Sequence, residues 1–299
     1  MHLKVPASAP LRRLGRNSLF PVCQPPLPNP AIETYTTQIS DSYTPLTAPR
    51  YPNGHVSKLQ QSPSSRSTQP GLNQTRLIGS TRETYVSYGM TQKIFEACSR
   101  QADYKVPQAS QKGVEVPKTA TGEDLGVSES WWYKDLGLPP TFSTWSQVTF
   151  LHMYLVTVRL RTLPVESLQT HSRHLIDHFS HNAEQRMDMQ HGLTSRAIRN
   201  KYLKDLFIQW RGVLAAYDEG LAKGDAVLGA AVWRNLWKAS HTEADGGDVN
   251  WAGVAQVVAY MRRVLVQLDG LKEGDLVFDL SPGVFGYREV DKRLVESKR

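Results

Sequence analysis

The clearest periodicity in the chain lies between residues 195 and 223, where Leu203, Phe207, Trp210, Leu214, Tyr217 and Leu221 recur at alternating steps of four and three. That spacing lines large apolar side chains along one stripe and predicts an amphipathic α-helix with a single buried face. Gly224 interrupts the pattern, and Asp225 is placed to cap the next segment, DAVLGAAVWRNLWKA. There Gly229, Ala230 and Ala231 allow close backbone approach, while Trp233 and Trp237 supply bulk. Residues 249–271 place Trp251, Val254, Val258, Met261, Leu265 and Leu268 on one face of a further helix. A shorter helix is predicted around residues 84–102 from Val86, Met90, Ile94 and Ala97, followed by a polar loop at 109–128. In WWYKDLGLPPTFSTW the two prolines stop one element, and Ser143 or Thr144 is the expected N-cap of the next.

That next element, TWSQVTFLHMYLVTVRLRTL at 144–163, is apolar on nearly every side and has no formal charge before Arg159. A membrane span needs about 20 predominantly apolar residues, whereas Ser146, Gln147, Thr149, His152 and Thr157 interrupt this one. It reads instead as the central buried helix of a bundle. Strand signals are confined to LVFDL near residue 276, and no internal repeat is visible. The expected fold is a single all-α bundle over residues 81–285, with a charged C-terminal tail at 286–299.

Residues 1–80 differ in kind. They hold PVCQPPLPNP and SKLQQSPSSRSTQPG and no sustained periodicity, too little apolar surface to offset the entropy of ordering. They also carry eight Lys/Arg against two acids, so six of the chain's seven net positive charges lie there. The remaining residues are nearly neutral, and net charge gives no support to a general nucleic-acid surface. The acid-poor, arginine-containing start has no continuous apolar core, which fits a transit peptide over residues 1–32 better than a secretory signal, with a linker at 33–80. Of the two cysteines, Cys23 and Cys98, only Cys98 would remain after removal of such a leader, so no intrachain disulfide is expected.

Candidate chemistry is sparse. Asp218 and Glu219 stand side by side, but on a helix they lie about 60° and 160° from the apolar stripe and point apart, against shared acid/base work. Glu219 is spaced to pair with Lys223. Asp218, at the rim of the core, is expected to meet an arginine such as Arg211 or Arg234, or a partner. His171, His174, His178 and His181 share one arc of a helix, a spacing compatible with metal ligation, yet no HExxH or CxxC accompanies them, and a polar helix flank is the favoured reading. There is no GxSxG, GxGxxG or Walker loop. The run RAIRNKYLK makes Arg196, Arg199, Lys201 and Lys204 candidates for contact with an acidic or phosphate-bearing partner, set against an ordinary solvated face. Trp131 and Trp132 are the aromatic candidates for partner contact, set against burial, the usual state of tryptophan.

Three segments taken together, SQVTFLHMYLVTVRLR at 146–161, RNKYLKDLF at 199–207 and YDEGLAKGDAVLGAAVWRNLW at 217–237, resemble the ubiquinol-cytochrome c chaperone family. YGMTQKIFEACSRQADY at 88–104 resembles the region preceding them in fungal mitochondrial members, whereas GVEVPKTATGEDLGVSES has no clear family counterpart. The resemblance implies a non-enzymatic assembly factor for respiratory complex III at the matrix face of the mitochondrial inner membrane. Its implied partners are a small assembly protein, newly made cytochrome b and the mitochondrial ribosome near its tunnel exit, with peripheral membrane contact. It implies no cofactor, no metal, no catalytic residue and no specific DNA. The alternatives are a ribosome- or RNA-associated translation regulator, suggested by the local basic clusters, and a metal-dependent enzyme built on the histidine face.

Overall fold

The computed structural model describes residues 73–296 apart from residue 112 and the stretches 243–246, 273–274 and 278–279, with side chains from Tyr85 onward. The transit-peptide expectation and nearly all of the linker expectation lie outside the described residues. From Thr81 onward the described chain belongs to one compact unit, built from α1 (Asn73–Ser99), the single turn α2 (Trp131–Lys134), α3 (Phe142–Leu160), α4 (Val165–Met189), α5 (Arg196–Lys223), α6 (Asp225–Leu236), α7 (Trp251–Asp269) and α8 (Glu289–Glu296). No strand occurs among the described residues, only isolated bridges such as Lys105 with Val127. The all-α reading is what the structure has.

The unit is organised around α3, which contacts α4, α5, α6 and α7. Only Val158 and Arg159 of this helix are not buried. It starts slightly earlier than expected: the N-cap is Thr141, whose hydroxyl accepts from the Thr144 amide at 3.3 Å. Pro139 and Pro140 hold the chain extended up to Thr141, so the first hydroxyl after them takes the cap. No helix among the described residues is long and apolar enough to cross a membrane, and the polar groups of α3 explain why it reads as a bundle core. Ser146, Thr149 and Thr157 donate to the carbonyls of Ser143, Trp145 and Met153 at 2.8 Å each. Gln147 donates to Gln209 Oε1, and Trp145 Nε1 to the Ser99 carbonyl. His152 sits between the Val148 carbonyl and the Tyr260 hydroxyl, at 2.7 Å from each.

The core face of α5 lies to one side of the predicted stripe. Leu206, Trp210, Val213, Tyr217 and Gly220 are buried, whereas Leu203, Phe207, Leu214 and Leu221 are only half-buried. Bulk alone marked the wrong line because α6 folds back against α5 at a glycine: a Cβ on Gly220 would stand 2.6 Å from the Leu228 Cα. Gly224, at φ +106°, makes this reversal. Its amide donates to the Gly220 carbonyl, and its own carbonyl accepts from Val227 and Leu228. Gly224 is therefore the cap, and Asp225 accepts instead from Arg262 Nε at 2.9 Å. Helix α7 runs back along α6, with Val254 and Val258 over Gly229.

The segment read as a strand near residue 276 is a 3-10 turn, Asp275–Val277, followed by a π turn, Leu280–Val284. Leu276 and Leu280 are buried, so the apolar run fills the core without needing strand partners. Beyond it, α8 packs on α7. Asp291, with no exposure, accepts from Arg263 Nε at 2.7 Å and Nη2 at 2.9 Å, and Arg263 also reaches the carbonyls of Val284 and Gly286. The expected charged tail thus contains a helix anchored to the bundle by a buried ion pair.

Two outcomes follow for purified protein. Gly220→Ala forces α5 from α6 against backbone that no rotamer change relieves, and chemical denaturation should show a loss of about 1–3 kcal/mol. Burial pushes the His152 imidazole down to about 4 and also lowers His174 and His178. The unfolded chain therefore binds more protons between those values and the ordinary histidine range. Stability should be full near pH 7 and fall as pH drops from about 6.5 towards 4, by roughly 3 kcal/mol from His152 alone. A flat unfolding midpoint over that window would contradict the buried neutral histidines.

Candidate functional site

The acidic pair in YDEG has a structural answer. Asp218 accepts from Arg161 Nη1 at 2.6 Å and Nη2 at 2.9 Å, a two-pronged pair joining α5 to the end of α3. The Tyr154 hydroxyl donates to the same carboxylate at 3.0 Å. The arginine is thus Arg161 rather than Arg211 or Arg234, because α3 crosses α5 at this level. Burial, and then the Asp218 charge, raise the Tyr154 phenol above its ordinary range, so it stays a proton donor. Arg161 and Asp218 are about two-fifths exposed, and the pair contributes no more than about 1 kcal/mol. Glu219 faces away and pairs with Lys223 at 2.6 Å. The two carboxylates converge on nothing.

The basic run divides into two kinds of residue. Arg199 is largely buried: its guanidinium donates to the Leu193 and Thr194 carbonyls at 2.7 Å and to Glu184 and Asp188 at 3.2 Å. It ties the α4–α5 connection together and is not available for partner contact. Arg196, Lys201 and Lys204, by contrast, are exposed. With Arg211 they form no ion pair among the described residues, and they remain the candidates on this helix.

The aromatic candidates also separate. Trp132 is 3% exposed and packs edge-on against His152 and Tyr260, so it is core and the partner-contact expectation does not hold for it. Trp131 is half-buried and stacks on Tyr287 at 4.7 Å. The exposed tryptophan of the bundle surface is Trp251, 57% exposed and 5.6 Å from the Trp233 ring. Periodicity had placed Trp251 on the core face; its position in the first turn of α7 puts it beyond the core's edge.

The histidine arc of α4 divides: His181 is exposed and His171 half-buried, as on a polar flank, whereas the middle two make an interhelical contact. His174 and His178 are buried beneath α1, with His178 Nε2 3.2 Å from the Tyr88 carbonyl and 3.3 Å from the Thr91 hydroxyl. The Tyr88 ring lies 4.2 Å from that of His178 and 5.1 Å from that of His174. No group of three or more His, Cys, Asp or Glu among the described residues is placed to hold a metal ion. Cys98 is fully buried, and desolvation pushes its thiol far above the ordinary range, away from the reactive thiolate.

Two features were not legible in the sequence. The loop at 109–128 is pinned by Glu123, 3% exposed, which pairs with Lys238. Lys238 and the following Ala239 both hold positive φ. The loop is fixed again where Asp124 meets His191 at 2.9 Å, with the Tyr104 hydroxyl on the far side of that ring. Partners 67 to 115 positions apart give no local signal. The second feature is a shallow cleft between α3, α4 and α5, lined by Phe150, Phe179, Leu203, Phe207 and Trp210 with Ser180 as a lone hydroxyl. It offers apolar surface and no charged group.

Against known proteins, residues 134–279 match the family model described as Ubiquinol-cytochrome C chaperone. "Protein CBP3, mitochondrial" of Saccharomyces cerevisiae is 35% identical over 153 residues, 50% of this chain and 43% of the yeast protein. "Ubiquinol-cytochrome c reductase complex assembly factor 1" of Drosophila melanogaster is 26% identical over 162 residues, 54% of this chain and 59% of that protein. The chain therefore covers less than two thirds of the length of either relative. The crystal structure of the Cbp3 homolog from Brucella abortus superposes with a TM-score of 0.48 at 18% identity, covering 73% of this chain and 98% of that one.

The split within the basic run is measurable. Arg199→Ala removes donors from two carbonyls and two carboxylates and should cost about 1–3 kcal/mol in denaturant unfolding. Lys201→Ala and Lys204→Ala should fall within about 0.5 kcal/mol of the parent. Equal effects at all three would refute the distinction.

Proposed function

Because the chain belongs to the ubiquinol-cytochrome c chaperone family, we propose that it is a non-enzymatic chaperone and assembly factor for respiratory complex III in mitochondria. The observation that carries this reading is the continuous family match over residues 134–279, which takes in α3 to α7. It is supported by relatives named as complex III assembly factors in fly and frog. Its finer terms are that the protein receives newly made cytochrome b at the matrix face of the inner membrane, near the ribosomal tunnel exit, together with a small partner protein. The physical chemistry is compatible with a binding role. Asp218 and Glu219 are each paired with a cation and Cys98 is buried, and the surface of α5 and α7 offers unpaired cations and an exposed tryptophan.

A second reading, a ribosome- or RNA-associated regulator, is favoured by one observation: Arg196, Lys201, Lys204 and Arg211 are exposed along one helix. Salt separates the two, since contact with nucleic acid weakens steeply as ionic strength rises.

Depleting the protein should lower assembled complex III while other respiratory complexes persist. Affinity isolation of the tagged protein from gently solubilised mitochondria should recover cytochrome b and a small helical partner. Normal complex III after complete loss of the chain would sink the assembly reading, and recovery of ribosomal RNA alone would favour the regulator.

A further inference from the structure

The outward side of α5 has a composition that neither core packing nor ordinary solvation calls for. On a helical projection Lys201, Lys204, Ile208 and Arg211 fall within an arc of about 80°. This arc points away from the buried line through Leu206, Trp210, Val213 and Tyr217. Ile208 is 64% exposed in the middle of the three cations. Around it the face carries only small groups, Ala197, Gly212 and Ala215. From Arg196 to Tyr217 the helix contains one acid, Asp205, half-buried at the margin of the arc. The patch ends two turns later, where Glu219 and Lys223 neutralise each other. Ile198, 47% exposed, adds a second aliphatic group towards the start of the helix.

We propose that this face of α5 is a docking surface for an anionic lipid bilayer, on which the bundle lies without crossing it. Three observations select a lipid surface over other anionic partners. The cations make no ion pair among the described residues, and Asp205 at the margin is the single acid near them, so the arc keeps a net positive charge for an external anion. The uncharged groups between them are aliphatic and small, with no exposed aromatic ring on the arc for bases to stack on, as a single-stranded nucleic acid would use. The face is the convex side of one helix and has no groove to hold a peptide. An aliphatic side chain ringed by lysines and arginine suits the headgroup boundary, where Ile208 enters the apolar layer and the long basic stems extend to the phosphates. With no helix among the described residues able to span a membrane, such a contact would act as a peripheral anchor. The proposal draws its biological sense from the inner-membrane location argued above, but the contact itself is a property of the purified chain.

The test is co-sedimentation of the full chain with vesicles of phosphatidylcholine alone or phosphatidylcholine mixed with phosphatidylglycerol, at low and high salt. Binding is expected only to the mixed vesicles and should weaken as salt rises. The combined variant Lys201→Gln, Lys204→Gln, Arg211→Gln should lower partitioning ~10-fold or more. Ile208→Ser should lower it about threefold and leave the salt dependence unchanged. All four side chains are outside the core, so circular dichroism and the thermal midpoint should match the parent, which keeps a binding loss distinct from unfolding. The basic N-terminal stretch is a built-in competitor: vesicle binding that survives both variants undiminished would place the contact there and overturn the proposal. Absence of vesicle binding, with poly(U) binding that the triple variant abolishes and Ile208→Ser leaves intact, would overturn it in favour of a nucleic-acid surface. In both failures the complex III measurement stands apart, so the assembly role is judged independently.

Discussion

Everything in this bundle depends on burying one helix on all sides. A helix such as α3 places hydroxyls, an amide and an imidazole where water cannot reach, and each unpaired polar group there would cost on the order of 1–3 kcal/mol. The hydroxyls solve this within the helix, donating to carbonyls three or four residues back. Larger groups reach outward: Trp145 to the end of α1, Gln147 to α5 and His152 to α7. These outward bonds complement apolar packing with direction. Tyr260 accordingly meets His152 on one side and donates to the Phe285 carbonyl on the other, tying the C-terminal turns to the centre.

The periodic part of this architecture was legible because it follows from side-chain chemistry alone. The existence of α3, α5, α6 and α7, the all-α class and the buried character of α3 all follow from helical spacing and charge distribution. What was misread turns on backbone constraints and contact partners that side-chain periodicity does not encode, which decide which of several equivalent residues is used. The two prolines select Thr141 over Ser143 or Thr144 as the cap. Gly220, invisible to a search for bulk, determines where α6 closes on α5 and so rotates the core line to Leu206 and Val213. LVFDL is apolar enough for a strand, but α7 offers it a helical surface and no strand to pair with.

The same cause governs the candidate site. Arg199 and Lys204 are alike in sequence context, both basic and both on the first turns of α5. One lies beside two open carbonyls and two carboxylates from α4 and its connection, and the other faces solvent; only the α4–α5 turn makes that difference. Trp132 and Trp131 are neighbours, yet the first enters the His152–Tyr260 cluster while the second stays at its edge. His174 and His178 looked polar by composition and became core through α1, which supplies the Tyr88 carbonyl and the Thr91 hydroxyl.

The block from Tyr217 to Trp237 is the segment by which the chain most resembles the ubiquinol-cytochrome c chaperone family, and its residues serve geometry. Asp218 fixes α5 to the end of α3, Gly220 admits Leu228, Gly224 reverses the chain, and Trp233 Nε1 closes the end of α6 by donating to the Ser240 carbonyl. A segment used this way specifies the angle between two helices. The outer faces that this angle presents carry the unpaired cations of α5 on one side, and Trp251 with Trp233 on the α6–α7 side. The binding role proposed above needs a rigid frame and accessible, unpaired surface. Here the frame engages most of the polar groups of α3, and the unpaired cations of α5 are at the surface.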